Sequence, residues 1–337
     1  MKLTSGNIIK FLISVGLAIL LIWLAVKDLD SQNIANIKMA FRDAGYFWIL
    51  LSMALASVSH VSRCVRWNIL LEPLGYKPKL LNTFFALMIG YTANFAIPRL
   101  GEVSRCSVLT KYEGVPFTEA IGTVITERII DLICIIIIFV ATLAIQYERL
   151  WDFSNKTIIT PITEKLKVIF GDDLYLSLFS SIMIALTIWF VLHKKKTGKK
   201  NESNKILDIA KGLWNGLKSV KEIKKPFWFI FHTLLIWVFY IESLQVALYC
   251  FDETGGLGLF ASVTALIFST LGVIVTPGGT GASQIFVTNA LTTIFKVSHT
   301  FAFALSWLMW AAQFVTLVGL GVISLIFLPL YNKESDN

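Results

Sequence analysis

Apolar residues in this chain come in long unbroken runs, with polar residues gathered into the short stretches between them. Runs at 8–26, 46–66, roughly 117–147, 174–192, 227–250 and 301–329 suit helices that cross a bilayer, which takes about 20 mostly apolar residues. Two further apolar segments, 80–98 and 257–295, are interrupted. In the first, LLNTFFALMI leads into GYTANFAIPRLGEVSR, so that Asn, Pro, Arg and Glu arrive before a helix could reach the far side. In the second, TPGGTG at 276–281 puts one proline and three glycines at the centre. No water at that depth can satisfy loose backbone groups, so a broken helix is tolerated only where protein or a watery cavity surrounds it. The pattern predicts an all-α polytopic membrane helix bundle of six full spans plus two re-entrant or broken hairpins. If the hairpins enter from opposite sides, they suggest the inverted repeats of transporters, although the two segments share only an apolar arm, a Pro and a Gly.

Composition agrees with a membrane protein and excludes a soluble one: 55% of the 337 residues are hydrophobic and 15% are charged, with mean hydropathy +0.70. The whole of 1–337 reads as a single integral membrane domain. Lys2 and Lys10 ahead of Phe11–Val26 have the outline of a signal peptide, but no A-x-A-like cleavage site follows, so a retained first helix is expected. The four cysteines, Cys64, Cys106, Cys134 and Cys250, lie far apart without a C-x-x-C pair, which gives no metal motif.

Charge orients the bundle. The formal net charge is +8, and residues 194–225 alone supply it, with eleven Lys against Glu202, Asp208 and Glu222. Between membrane spans such a block follows the positive-inside rule and calls for no nucleic acid. Within this basic linker Ile206, Ala210, Leu213, Leu217 and Val220 recur at helical spacing, the pattern of an amphipathic helix lying on an anionic membrane face. Among the Lys and Arg ahead of residue 170, with Arg128 inside a span left aside, treating 80–98 as re-entrant puts nine inside against seven outside; treating it as a full span gives six against ten. The hairpin is therefore expected, with both termini and 194–225 in the cytoplasm.

Four polar groups stand out. Arg63 and Arg66 in HVSRCVRW end the second span, where arginines snorkelling to headgroups are the simplest expectation. Asn94, Pro98, Arg99, Gly101, Glu102 and Arg105 form the interrupted stretch, and a local Glu102–Arg105 ion pair is one alternative there. In TVITERIIDLIC, Glu127 and Asp131 are four apart on one helix face and need a cation from elsewhere, while Arg128 points about 100° away. Arg99 or Arg105 is the expected partner. Last, Thr276, Pro277, Gly278, Gly279, Thr280, Gly281 and Gln284 offer backbone amides before a helix starting near Ala282, a favourable place for phosphate or carboxylate and equally consistent with a packing break. Asp172 and Asp173 in GDDLY read as a helix start. No histidine is assigned a role.

Taken in order, RCVRWNILLEPLG, NFAIPRLGEVSR, TERIID and TPGGTG resemble the lysylphosphatidylglycerol synthase transmembrane, or flippase-like, family, also called UPF0104. The likeness runs from about 8 to 330. It implies a membrane domain best known as the flippase half of two-part proteins that aminoacylate a phospholipid and move it between leaflets. After Leu330 only YNKESDN follows, so a stand-alone membrane domain without aminoacyl transfer is expected. The resemblance implies a polar cavity of Asn94, Arg99, Gly101, Glu102, Arg105, Glu127, Arg128 and Asp131, with Pro277, Gly278, Gly279 and Gly281 as its backbone floor. Relatives often read PGG-x-G-x-x-E, whereas here Gln284 stands in the acidic place, which favours an anionic or phosphate-bearing lipid over a cationic one.

The expected function is a lipid translocase of a bacterial inner membrane, binding headgroups through Arg63, Arg66 and the cavity residues, with no cofactor and no catalysis. Its partners are membrane lipids and a lipid-synthesis enzyme encoded separately. A membrane-embedded enzyme acting on a lipid phosphate, with Glu102 or Asp131 as base, is one alternative. A non-catalytic subunit of a cell-envelope lipid enzyme is another.

Overall fold

A computed structural model describes residues 30–97, 100–147 and 222–333, together with positions 16, 19–23, 25–27 and 160. The predicted span 174–192, the aspartates of GDDLY and most of the basic linker lie outside these residues, as does most of span 8–26. Every described element is helical: α1 (Ser31–Asp43), α2 (Tyr46–Leu71), α3 (Leu80–Ala96), α4 (Leu100–Glu113), α5 (Phe117–Ile145), α6 (Pro226–Leu248), α7 (Leu259–Val275), α8 (Ala282–Phe295) and α9 (His299–Lys333), besides short turns. The chain forms two compact units, Met1–Thr142 with Gly212–Asn337, and Leu143–Lys211. All the packing described below lies within the first.

Four helices, α2, α5, α6 and α9, are long and apolar enough to cross a bilayer, at the four predicted spans that fall on described residues. Their exposed faces are hydrocarbon, such as Ile133, Ile136 and Ile137 of α5 and Ile230 and Leu234 of α6, which suits contact with lipid tails. Local chemistry sets the helix ends. Asp30 caps α1 by accepting the Asn33 N–H at 2.7 Å, and Pro226 opens α6, where its missing N–H costs nothing.

The two interrupted segments fold as antiparallel hairpins. In hairpin 1, α3 and α4 approach so closely that a side chain on Gly101 would strike the Gly90 carbonyl and the Asn94 side chain. At its base Glu113 accepts from the Lys79 backbone N–H (3.1 Å) and from Asn82 Nδ2 (2.5 Å), so both arms end on the same side. In hairpin 2, α7 and α8 are equally tight, with Gly272 against the Ser283 backbone. Its base is closed by Glu253, which accepts from the Ser298 backbone N–H (2.5 Å) and hydroxyl (3.1 Å). At 17 and 14 residues in each hairpin, the arms are about 25 and 21 Å long, short of the roughly 30 Å hydrocarbon core.

Helix α9 records how the hairpins are placed. Its start borders the base of hairpin 2 through Ser298 and Glu253. Further along, Ser306 bonds Thr288 of α8 (2.8 Å), and the Trp310 indole N–H donates to the Gly278 carbonyl at the tip of hairpin 2 (2.9 Å). Next come Phe314 against Phe95 at the tip of hairpin 1 and Leu317 O accepting from the Thr92 hydroxyl (3.1 Å). Near its end Asn332 pairs with Asn82 at the base of hairpin 1 (2.9 Å). The two hairpins thus run along one helix from opposite ends and meet tip to tip, the inverted arrangement expected from charge and parity. Phe95 lies directly over Gly278, where any Cβ would meet its ring. Gly278, at φ 62°, also needs the left-handed backbone that glycine adopts without strain.

Candidate functional site

Beside hairpin 1 the polar residues of three helices converge. Arg63 and Arg66 lie three apart on α2, Glu127 and Asp131 four apart on α5, and Arg105 comes from α4. One Nη1 of Arg63 is 3.0 Å from Glu127 Oε1 and 3.0 Å from Asp131 Oδ2, the second an ion pair without hydrogen-bond alignment. Arg66 Nη2 reaches Asp131 Oδ1 at 2.7 Å and Glu127 Oε1 at 3.4 Å. Arg105 Nη1 donates to Glu127 Oε2 at 3.1 Å. Arg66 and Glu127 are completely inaccessible, Arg105 is 2% and Arg63 4% exposed, and Asp131 is 9% exposed.

Aromatic residues fix the arginines. Arg105 lies over the Trp67 ring, 4.7 Å from its centroid, and the Trp67 indole N–H donates to Thr123 Oγ1 at 2.9 Å, tying α2 to α5. Arg63 lies 5.8 Å from the Tyr240 ring. Such contacts hold a guanidinium without using up its N–H donors. Below the cluster Trp67, Leu71, Ala86, Cys106, Leu109, Val115, Ala120 and Val124 form a dry apolar layer.

The donors outnumber the acceptors. Three arginines face two carboxylates, leaving one positive charge, and Arg63 Nε, Arg66 Nε and Nη1, and Arg105 Nε and Nη2 have no partner among the described residues. An uncompensated buried charge is expensive because the desolvation cost is not returned, and the same holds for unanswered guanidinium N–H groups. A cluster of this composition suits a monoanionic group rich in acceptor oxygens, which arginine forks bind well.

Several expectations need correction. Arg63 and Arg66 do not snorkel to headgroups; they are buried because Glu127 and Asp131 stand opposite them on α5. Glu102 and Arg105 do not form a local pair. Arg105 turns inward to Glu127, and Glu102 instead pairs with Arg128 at 3.5 Å, on the outer edge of the cluster. Of the two partners expected for the Glu127–Asp131 pair, Arg105 meets Glu127 and Arg99 lies outside the described residues; Asp131 is held by Arg63 and Arg66. Pro98 and Arg99 lie outside the described residues. Asn94 closes the tip of hairpin 1, where its Oδ1 accepts the Gly101 N–H at 2.8 Å. Pro277, Gly278, Gly279 and Gly281 form the break of hairpin 2, with Gln284 just inside α8. They lie farther along α9 from the arginine cluster, and no bond joins the two groups among the described residues.

Sequence reasoning missed Trp67, Thr123, Tyr91, Tyr240 and His60 around the site. His60 is 2% exposed, with its ring 5.2 Å from Tyr91 and neither nitrogen partnered among the described residues. Only Trp67 carried a signal, by standing next to Arg66 in RCVRW.

Comparison with known proteins bears on this arrangement. The profile of the family described as "Lysylphosphatidylglycerol synthase TM region" matches residues 7–321. A UPF0104 membrane protein of Methanocaldococcus jannaschii is 30% identical over 87 residues, a stretch covering 25% of this chain and 26% of that protein. No solved structure matches.

Proposed function

The chain is a multi-pass membrane protein belonging to the lysylphosphatidylglycerol synthase TM region family, and on that footing we propose that it moves a phosphate-bearing lipid, chemically unchanged, between the leaflets of a bacterial inner membrane. The observation that carries this reading is the surplus of the buried cluster: among the described residues, one unmatched positive charge and five guanidinium nitrogens without partners, at Arg63, Arg66 and Arg105. One phosphodiester would bring the cluster to neutrality and supply acceptor oxygens. Its acyl chains would stay in lipid, alongside the hydrocarbon faces of α5 and α6. By the positive-inside rule the base of hairpin 1, with Lys77, Lys79 and Lys111, faces the cytoplasm, so the cluster belongs to the cytoplasmic half. The opposed hairpins supply a moving part of the kind alternating access needs.

Arg105→Gln is the discriminating variant. It leaves two arginines against two carboxylates, a neutral and better-matched cluster. Lipid co-purified in mild detergent, read by mass spectrometry, is expected to contain anionic phospholipid with the wild type and at least about tenfold less with Arg105→Gln, in line with the loss of a charge-assisted bond. Thermal stability is expected to hold or rise. Equal lipid retention by both proteins would contradict the reading, as would a covalently altered lipid.

A further inference from the structure

His60 takes part in none of the bonds that hold the arginine cluster, although it lies only one turn from Arg63 on α2. The far end of α2 reaches the base of hairpin 1 through Asn68, which bonds the Pro78 carbonyl (3.0 Å) and the Thr83 hydroxyl (2.7 Å). His60 is therefore on the deeper side of Arg63. It is buried, and both ring nitrogens lack a partner among the described residues. An imidazole left in that state forfeits bonds that it would make in water. A leucine or phenylalanine would fill the space without that cost.

Two tyrosines from other helices surround it. The His60 ring lies 5.2 Å from that of Tyr91 on α3 and 6.0 Å from that of Tyr240 on α6. Tyr240 also faces the Arg63 guanidinium at 5.8 Å, and Tyr91 follows Gly90, which packs on Arg105. Both tyrosines are half-buried, and neither hydroxyl makes a hydrogen bond among the described residues. Arg63 Nε is unpartnered there as well. Each phenol can donate and accept, and a neutral imidazole offers one donor and one acceptor. The arginine cluster thus continues into a group of unused neutral donors and acceptors set between aromatic rings.

The charge around this group has one sign. Arg63 is adjacent, and α2, α3 and α9 carry no acidic residue. Glu127 and Asp131 are taken up by the three arginines, and Glu102 by Arg128. On α6, Glu242 is exposed and stands two positions from Tyr240, about 200° round the helix. A cationic headgroup here would meet an arginine and no free carboxylate, which disfavours it. A hydroxylated headgroup would meet donors and acceptors.

We infer that His60, Tyr91 and Tyr240 form the headgroup subsite of the arginine cluster and select an uncharged, hydroxyl-bearing headgroup, such as glycerol or a sugar, over an ammonium one. The inference rests on reading that cluster as a lipid-phosphate site. The hydroxyls of such a headgroup lie a few bonds beyond the phosphorus, which matches the single helical turn between Arg63 and His60. The arginines hold what every phospholipid shares, and the neutral group reads what differs.

Calorimetric titration of the detergent-solubilised full chain with three short-chain lipids tests the assignment. They are dihexanoylphosphatidylglycerol, dihexanoylphosphatidylmethanol, which has the same charge and no headgroup hydroxyl, and dihexanoylphosphatidylethanolamine, which adds an ammonium. The wild type is expected to hold the glycerol lipid about fivefold more tightly than the methyl one, the yield of one ordinary hydrogen bond, and at least tenfold more tightly than the ethanolamine one. His60→Phe, which keeps a ring and removes both nitrogens, should bring the glycerol-to-methyl ratio to about one, and Tyr240→Phe should narrow it. Arg105→Gln should weaken both lipids together at an unchanged ratio. The assignment is overturned if the wild type binds the glycerol and methyl lipids equally, if the ethanolamine lipid binds as tightly as the glycerol one, or if His60→Phe and Tyr240→Phe both keep the wild-type ratio. Loss of fold would lower binding of every lipid, so the ratio separates selection from structure. Glycerophosphoglycerol, the same headgroup without acyl chains, binding as tightly as the lipid would instead sink the lipid reading of the cluster, as would an absence of any lipid binding.

Discussion

Glu127 is the most heavily committed residue of the site. It takes ion pairs from Arg63, Arg66 and Arg105 while wholly inaccessible. Removing its charge would leave three buried arginines facing Asp131 alone, and breaking a buried pair on one side costs about 3–5 kcal/mol. Glu127→Gln is therefore expected to lower the unfolding temperature in detergent by several degrees, whereas Arg105→Gln is not, although both alter the same ion pair. Thermal unfolding of the two variants checks this, and an equal loss in both would refute the charge count. At this scale the sequence was half legible. The i, i+4 spacing of Glu127 and Asp131 demands a cation from elsewhere, and it points to Arg99 or Arg105, of which Arg105 is in place. The burial of Arg63 and Arg66 is not legible, because a sequence gives the depth of a residue along its own helix and is silent on what the neighbouring helix sets opposite.

Among the elements, the breaks in hairpins 1 and 2 were legible from their prolines, glycines and misplaced polar residues. The contact between their tips was not. It depends on the lateral packing of both hairpins against α9, through Trp310, Phe314 and Leu317, for which one chain read in isolation has no signal. Phe95 fills the space above Gly278, so the tips can separate only if that ring leaves. If passage requires the separation, tying the tips should stop it. With the native cysteines replaced by alanine, the double variant Phe95→Cys/Gly278→Cys is expected to move lipid when reduced and to lose most of that activity on oxidation, with reductant restoring it. Undiminished transport by the cross-linked protein would exclude the tips as a gate.

For the whole molecule, hydropathy gave the all-α membrane bundle and the positions of the four described spans, because the need to bury every backbone polar group in hydrocarbon leaves few alternatives. The inverted placement of the hairpins was also accessible from the balance of lysine and arginine, and the 35 residues of α9 display it directly. The joint result is a bundle in which an arginine-rich cluster flanks one hairpin and an aromatic contact joins its tip to that of the other. We propose that this arrangement carries a lipid phosphate across the bilayer. The most direct measurement is the fraction of a fluorescent phosphatidylglycerol in proteoliposomes that becomes accessible to an impermeant quencher over time. The wild type is expected to expose inner-leaflet lipid well above the rate of empty liposomes, and Arg105→Gln to fall to that background; a wild-type rate no faster than empty liposomes, or an Arg105→Gln rate equal to the wild type, would contradict lipid transport through this cluster.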